Sequence, residues 1–224
     1  MDLATRILYE DNHLIIINKM AGEIVQGDKT GDKPLIDDVK SYLKARYHKE
    51  GNVFCGLVHR IDRPVSGVVI FTKTSKALAR MNELVKARKI TKIYLALTEK
   101  TPLIPERTLI DWVQKNEKSN KTHVSHTEKE GWQKAELSYR TLRQLDHYTL
   151  LEVTLVTGRH HQIRAQLAAN GTIIKGDLKY GAHRSNRDGS ISLHASKVIF
   201  EHPVNHKMIE VEAPLTGEME KILA

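Results

Sequence analysis

The chain has 224 residues, which suits one large domain or two small lobes that share a core. Hydrophobic residues make up 40% and charged residues 28%, as in ordinary soluble proteins, and no apolar run approaches the ~20 residues of a membrane span. The net charge of +8 favours a polyanionic partner such as a nucleic acid, while an aromatic content of 5% argues against a broad base-stacking platform.

The N-terminal sequence and the cysteine content bear on the compartment. The stretch "MDLATRILYEDNHLIIINK" lacks a basic start followed by a signal-type apolar core. The single Cys55 cannot form an internal disulfide, which fits a reducing compartment, and its simplest interpretation is a small apolar residue beside a strand. We therefore expect a cytoplasmic protein without membrane association, and a monomer.

The first half of the chain predicts strands alternating with helices. The β-branched run His13–Asn18 predicts a buried strand, and the glycine-rich segment Lys19–Pro34 predicts a loop. Helices are expected from Pro34 to about Tyr47 and from Ser75 to about Lys86, because apolar residues recur there at helical spacing. Between them, "GLVHR" and "GVVIFT" predict two strands joined by the turn "IDRPVSG".

The second half predicts mainly strands joined by hairpins. "KIYLALT" alternates as a strand does, and the polar segment Asn116–Gly131 is interpreted as an exposed loop or hairpin tip. Long strands are expected over Ala135–Leu142 and Tyr148–Val156, with a closing hairpin over "SLHASKVIF" and "MIEVEAP". "GRHHQIRAQLAANG" predicts a turn and then a helix whose Asn170-Gly171 end suits a left-handed C-terminus. Strands outnumber helices, which predicts an α+β fold with a mixed, mostly antiparallel sheet.

Several common site motifs do not occur in the sequence. There is no phosphate-binding loop, no dinucleotide fingerprint and no serine nucleophile elbow. One cysteine and no H-E-x-x-H argue against a zinc site, and the adjacent His160 and His161 would face apart on a helix. We expect neither a metal nor a cofactor.

The first cluster that could carry chemistry is "HRIDR", His59–Arg63. Alternation would place Arg60 and Asp62 on one side, with Ile61 packed beneath them. A nearby arginine favours the ionised carboxylate, which can attack an electrophilic carbon. The alternative is a solvated surface ion pair that contributes little, and this motif alone favours that alternative.

The second cluster is "TGRHHQIRAQL", in which Gly158 permits a tight turn. Arg159, His161 and Arg164 then crowd one helix start, where backbone N–H groups favour an anion. The alternative is a helix whose arginines reach solvent. Apolar neighbours should pack inward, so an inward-leaning Arg164 would need a buried acidic partner, for which Asp62 is the candidate.

Taken together, these stretches resemble the RluA-type family of pseudouridine synthases over nearly the whole chain. The resemblance rests on four motifs in the right order: "ILYEDNHLIIINKMAGEIV", "HRIDRPVSG", "KIYLAL" and "TGRHHQIRAQLAANGTIIKGDLKYG". The sequence departs from the family pattern at Met20, where proline is usual, at Pro64-Val65, which replace an acidic-Thr pair, and at His160, which replaces a smaller polar residue. None of these departures removes a residue to which the resemblance assigns catalysis.

The resemblance implies an enzyme that converts uridine in RNA to pseudouridine without metal or cofactor. The base is detached at N1, turned and rejoined through C5. Asp62 would be the catalytic nucleophile, Arg164 its charge partner and Tyr94 the site tyrosine, although a strand core residue is the simpler interpretation of Tyr94. Arg60 would fill the gap left by the flipped base. Further RNA contacts are implied for the remaining polar residues of the two clusters, namely His59, Arg63, Arg159, His161 and Gln162.

The implied architecture is the pseudouridine-synthase α+β fold, a mostly antiparallel sheet with flanking helices and a cleft, in one catalytic domain over residues 1–224. The first motif begins by Ile7, so no separate N-terminal RNA-binding domain is expected. The expected partner is tRNA or rRNA. One alternative is a non-enzymatic RNA-binding or assembly factor on this fold. Another is a glycoside or nucleoside hydrolase, which needs a second carboxylate, and Asp177 is the other acid in the motifs that bear on the site.

Overall fold

The computed structural model describes residues 2–224, which divide into two compact units. Unit 1 runs to Ile90 and resumes over Ala195–Thr216, whereas unit 2 runs over Thr91–His194 and resumes over Gly217–Ala224. Within residues 2–224, no helix combines the length and the apolar character that a membrane crossing requires. The interpretation of the whole chain as one catalytic domain stays a prediction.

The described residues form eleven strands and four α-helices. The strands are β1 (Ile7–Glu10), β2 (Leu14–Lys19), β3 (Gly56–Leu57), β4 (Ser66–Thr72), β5 (Ile90–Thr98), β6 (Glu106–Asn116), β7 (Lys121–Ser125), β8 (Gln133–Gln144), β9 (Thr149–Leu155), β10 (Leu193–Glu201) and β11 (Met208–Glu212). The helices are α1 (Leu35–Arg46), α2 (Ser75–Lys86), α3 (Gln162–Ala169) and α4 (Gly217–Leu223). The predicted α+β class with a mostly antiparallel sheet is confirmed.

Unit 1 is built around strands β2 and β4. Its strand order is β1-β2-β4-β10, with β11 beside β10 and β3 beside β4. Every residue of β2 and of β4 is buried, because both faces of these β-branched runs are covered. Helix α1 begins after Pro34 as predicted, and α2 begins after the N-cap residue Thr74, whose hydroxyl accepts from the Ala77 N–H.

Unit 2 is an antiparallel sheet of strand order β5-β9-β8-β6-β7. The long strands predicted on either side of "LDH" are confirmed as β8 and β9. Helix α3 ends at Ala169 with Asn170 as its C-cap, and Gly171 follows with φ +77°, the left-handed conformation that the Asn-Gly pair predicts. This short helix carries the second candidate cluster at its start.

Several elements differ from the sequence predictions, and strands β1 and β6 were not predicted. The polar segment Asn116–Gly131 is not simply a loop, because Lys121–Ser125 forms strand β7 against β6. Its inward residues, Thr122 and Ser125, are hydroxyl-bearing and hydrogen-bonded, so the strand shows no apolar alternation. The strand predicted over "GLVHR" shrinks to two residues, and helix α4 was not predicted at all.

Candidate active site

Asp62 lies in the turn between β3 and β4 of unit 1. The Val65 N–H donates to the Asp62 carbonyl over 3.0 Å, which closes the turn. Ile61 is 8% exposed and packs inward as predicted, while Asp62 is half-buried and Arg60 is exposed. The buried Ile61 therefore anchors the turn, while the side chains of Arg60 and Asp62 remain accessible to solvent.

The segment after β2 holds the backbone of this turn. Gly22 N–H donates to the Arg63 carbonyl over 2.8 Å, and Lys19 Nζ donates to the same oxygen over 3.2 Å. Gly22 has φ +92°, a conformation that glycine adopts without steric cost. The carbonyl of Arg63, the residue after Asp62, is thus fixed by two donors from the "NKMAG" stretch.

Lys19 is a fully buried lysine beside the Asp62 turn. Its Nζ also donates to the carbonyls of Met20 (2.9 Å) and Glu23 (2.8 Å), so three acceptors match the three N–H donors of an ammonium. Burial lowers the pKa of Lys19 to about 7, against the opposing charges of Glu23 and Asp62. A buried cation therefore lies within electrostatic range of the Asp62 carboxylate.

The Arg63 side chain is engaged by an acidic loop. Its Nη2 donates to Asp32 Oδ2 over 2.6 Å and to Thr30 Oγ1 over 2.9 Å, with Asp28 Oδ2 at 3.9 Å. These contacts tie the Arg63 guanidinium to the loop that contains Asp28, Thr30 and Asp32. His59 Nε2 accepts from the Ile70 N–H at 3.4 Å. RNA contact by Arg63 or His59 stays a prediction.

Tyr94 lies in the middle of β5 in unit 2, opposite Val153 of β9. Its side chain is 7% exposed. This burial is compatible with a site tyrosine in a closed pocket and with a core residue of the strand. The catalytic role of Tyr94 remains a proposal that rests on the family resemblance.

Arg164 and Asp177 form a buried, bidentate ion pair. Arg164 Nε donates to Asp177 Oδ2 over 2.7 Å, and Nη2 donates to Oδ1 over 2.8 Å. The side chains are 5% and 1% exposed. An inward-leaning Arg164 needs a buried acid, and Asp177 is such an acid. The pairing of Arg164 with Asp62 stays a prediction.

This pair bears on the hydrolase alternative. A glycosidase-type mechanism needs a second carboxyl group that exchanges a proton with the substrate. Both oxygens of Asp177 accept hydrogen bonds from one guanidinium, and the carboxyl group is buried. Asp177 therefore acts as a structural counter-charge in this protein and does not supply the second carboxylate of a hydrolase.

Tyr180 connects this ion pair to the start of α3. The Arg164 Cζ lies 5.2 Å from the centre of the Tyr180 ring, within cation–π range. The Tyr180 hydroxyl accepts from the Thr122 N–H over 2.8 Å and lies 3.0 Å from His161 Nδ1. The Tyr180 hydroxyl thereby joins strand β7 to His161, the N-cap residue of α3.

His161 is held in its neutral form. Burial, the nearby Arg164 charge and the stacked His160 ring, 3.8 Å away between centroids, lower the pKa of His161 to about 2. Its backbone adopts φ +49°, which is uncommon for a residue other than glycine. His161 therefore offers hydrogen bonds and ring surface without charge, and its contact with RNA stays a prediction.

Gln162 and Arg159 brace the turn before α3. The side-chain oxygen Oε1 of Gln162 accepts from Thr157 Oγ1 (2.8 Å) and from the Arg159 N–H (3.0 Å). Its side-chain nitrogen Nε2 donates to Gln166 Oε1 (3.0 Å). Gln162 is 3% exposed, so in this structure it supports the helix start. The partly exposed Arg159 donates from Nε to the Lys134 carbonyl over 3.1 Å. Direct RNA contact by either residue stays a prediction.

Sequence reasoning did not assign the contacts that the structure gives to Lys19, Asp177 and Tyr180. Each lies inside a quoted motif, Lys19 in "NKMAG" and the other two in "GDLKYG". A signal existed for Lys19, since a lysine that ends a buried β-branched run needs acceptors. The pairing of Asp177 with Arg164 joins residues 13 apart that lie in separate elements, and no local pattern reports it.

Comparison with known protein families shows to which family the chain belongs. Residues 13–169 match the family described as RNA pseudouridylate synthase, and the chain belongs to this family. The match covers the Asp62 turn, strand β5 and helix α3. The chain is therefore an RNA-modifying enzyme, an isomerase that forms pseudouridine, and the resemblance to RluA-type enzymes is confirmed.

Individual relatives extend the match over almost the whole chain. Ribosomal large subunit pseudouridine synthase C of Buchnera aphidicola subsp. Acyrthosiphon pisum is 34% identical over 99% of this chain and 71% of its own length. The protein of the same name from Vibrio parahaemolyticus is 30% identical, with 99% and 69% covered. An RNA pseudouridine synthase of Bacillus subtilis is 31% identical, with 96% and 70% covered.

Solved structures confirm the fold. Human RNA Pseudouridylate Synthase Domain Containing 4 superposes with a TM-score of 0.80 at 21% identity, covering 97% of this chain and 91% of that one. Human RNA Pseudouridylate Synthase Domain Containing 1 gives a TM-score of 0.74 at 21% identity, with 94% and 83% covered. The implied pseudouridine-synthase fold is thus present.

Proposed function

We propose that this enzyme isomerises specific uridines of ribosomal or transfer RNA to pseudouridine, with Asp62 as its catalytic nucleophile. The observation that carries the assignment is the way unit 1 fixes the Asp62 turn. Two donors hold the carbonyl of Arg63, the residue after Asp62, and Ile61, the residue before Asp62, is buried. Such rigid support is what a nucleophile needs if it is to meet one carbon atom in a defined geometry.

Relatives support ribosomal RNA as the first substrate to test. Two similar proteins, each covered over about 70% of its length, are named for the ribosomal large subunit. Transfer RNA is the second substrate to test, because the sequence predicts either tRNA or rRNA as the partner. The net charge of +8 suits either RNA, since lysine and arginine contacts to phosphates provide affinity that does not depend on sequence.

The family resemblance assigns further residues to the same reaction. Extraction of a stacked base costs a few kcal/mol, which contacts to the RNA backbone offset. The exposed Arg60, two residues before Asp62, has the length and the planar donors to occupy the vacated space. Tyr94 contributes an aromatic face and a hydroxyl, and Arg164 contributes a fixed guanidinium whose position Asp177 secures. The proposal assigns these residues to one catalytic domain.

Release of tritium from RNA labelled at uridine C5 tests the function. Ribosomal and transfer RNA are prepared from cells that lack this enzyme and incubated with the wild-type protein or with Asp62→Asn. The wild-type protein should release label from one of the two pools. Asp62→Asn should reduce the release rate by at least about 10⁴-fold, since an amide is not a nucleophile. Its affinity for RNA should change by only a few-fold.

Asp38→Asn is the matched control in unit 1. Asp38 forms a partly exposed ion pair with Lys33, so its neutralisation should leave the release rate unchanged. If neither pool releases label with the wild-type enzyme, the substrate assignment fails. If Asp62→Asn retains the wild-type rate, Asp62 is not the nucleophile.

A further inference from the structure

Lys92 occupies a defined place on strand β5 of unit 2. It lies opposite Leu155 of β9 and two residues before Tyr94, so the two side chains leave the same face of the strand. The side chain is half-buried. Neither the candidate site as described above nor the packing of unit 2 uses its charge.

The Lys92 ammonium lacks a protein acceptor. Within residues 2–224 it makes neither an ion pair nor a hydrogen bond. Other buried lysines do find acceptors: Lys19 contacts three carbonyls, Lys73 contacts Glu10 and Lys175 contacts Glu218. Burial accordingly lowers the pKa of Lys92, with no acidic group to oppose it. This lysine is thus the exception among comparable side chains.

The backbone turn before α3 leaves room at this ammonium. A Cβ atom added to Gly158 would lie 3.3 Å from Lys92 Nζ, so the ammonium faces a bare α-carbon. Gly158 is exposed to solvent, and the next residue is the partly exposed Arg159. The site therefore has a desolvated cation, an open approach over glycine and a second cation on the adjoining residue.

A cation that is partly withdrawn from water and left unpaired destabilises the folded protein. A bound anion would reverse this cost, and its affinity would gain from the low local dielectric. The anion that an RNA-modifying enzyme meets is the phosphodiester. An ammonium acts as a point charge and can bind a single non-bridging phosphate oxygen, whereas a guanidinium is shaped to bind two oxygens at once.

We propose that Lys92 is a substrate-binding residue that takes one phosphate of the RNA at the Gly158 turn. The inference rests on the proposed function only in that RNA supplies the anion. It adds a contact to those that the family resemblance implies for Arg159 and His161. The role is binding of the RNA backbone, and no proton transfer is assigned to Lys92.

The test compares Lys92→Met, Lys92→Arg and Lys100→Met for RNA binding as a function of salt. Binding is measured in the Asp62→Asn background, so that turnover does not interfere. The plot of log affinity against log salt has a negative slope. Lys92→Met, which loses one phosphate contact, should make this slope shallower by about 0.7 to 0.9 and weaken binding by about 3- to 10-fold at low salt. Lys92→Arg should keep the wild-type slope. Lys100 is exposed just beyond the end of β5. The control Lys100→Met removes one positive charge, as Lys92→Met does, and should leave the slope unchanged.

Thermal unfolding separates this role from a structural one. Removing an unpaired, half-buried charge should leave the Tm of Lys92→Met unchanged or raise it, while binding weakens. An unchanged salt slope overturns the inference, and so does a fall in Tm that accounts for the weaker binding. A wild-type protein that binds RNA through Lys92 but releases no tritium would contradict the proposed function and leave this inference standing.

Discussion

Arg164 and Asp177 face each other across two parallel hydrogen bonds of 2.7 and 2.8 Å, in a part of unit 2 where both side chains are almost fully withdrawn from solvent. The fork of the guanidinium matches the two carboxylate oxygens, so the pair fixes the plane of Arg164 as well as its position. The remaining N–H donors of Arg164 are thereby aimed in a set direction. Asp177 determines where the arginine of the "HQIR" motif can act.

Neutralising Asp177 should destabilise the protein. Asp177→Asn keeps the size of the side chain but removes the carboxylate that accepts two hydrogen bonds from the buried Arg164, which should lower the free energy of unfolding by about 3 kcal/mol. Urea denaturation followed by circular dichroism measures the change. Asp146→Asn, a neutralisation at an exposed loop residue of the same unit, should stay within about 0.5 kcal/mol of wild type. Equal stability of the two variants would show that the ion pair is dispensable.

Gly67, in the signature "HRIDRPVSG", should not tolerate a side chain. It has φ +114°, and an added Cβ would lie 2.2 Å from the Ala195 carbonyl oxygen and 2.6 Å from its nitrogen. Since both obstacles are backbone atoms, Gly67→Ala should lower the free energy of unfolding by more than about 3 kcal/mol. Chemical denaturation tests this expectation.

Gly27→Ala is the control for that substitution. No atom lies within 4 Å of a Cβ at Gly27, and its φ is outside the left-handed region. The change should be neutral or stabilising by up to about 1 kcal/mol, because alanine reduces the entropy of the unfolded chain. A Gly67→Ala protein as stable as Gly27→Ala would mean that strand β4 can move away from Ala195.

His161 should make the stability of the protein depend on pH in the acidic range. Its folded-state pKa is lowered to about 2, whereas an unfolded histidine titrates near 6.5. Below about pH 6.5 the unfolded state therefore binds a proton that the folded state does not, and stability falls as the pH falls. Urea unfolding of His161→Gln should accordingly show a smaller loss between pH 7.5 and 5.0 than the wild-type protein shows.

His183→Gln provides the comparison for this pH effect. His183 has an 85% exposed side chain, so its substitution should preserve the wild-type loss of stability between the two pH values. An identical pH dependence of the wild-type and His161→Gln proteins would contradict the lowered pKa of His161 in the folded state.

Local signals were sufficient for many elements of the fold. Helix α2 is predicted with both ends, because apolar residues recur at helical spacing and Thr74 caps the first turn. Strand β7 and helix α4 lack such signals, since distant residues hold them. The Thr122 N–H of β7 donates to Tyr180, and Glu218 of α4 pairs with Lys175. Contacts between remote parts of the chain override local propensity in these elements.

Less of the candidate site than of the fold could be predicted from the sequence. The residues around Asp62 alone favoured a surface ion pair, and only the order of the four motifs indicated an RNA-modifying enzyme. The need for a buried acid near Arg164 followed from sequence, but the identity of Asp177 did not, because the pairing depends on how α3 and the following segment fold together. Lys92 was part of a strand pattern, and its lack of an acceptor is visible only in three dimensions.

The discontinuous build of unit 1 has a consequence for synthesis on the ribosome. Strand β4 lies beside β10, which follows it by about 120 residues in the chain. At about 5–20 residues per second, β2 and β4 leave the ribosome several seconds before the strand that completes their sheet. The strands β5–β9 emerge in that interval, so unit 2 can begin to form while the apolar edge of β4 is still uncovered. Protection of this nascent edge, rather than the speed of any local step, should limit the yield of folded enzyme.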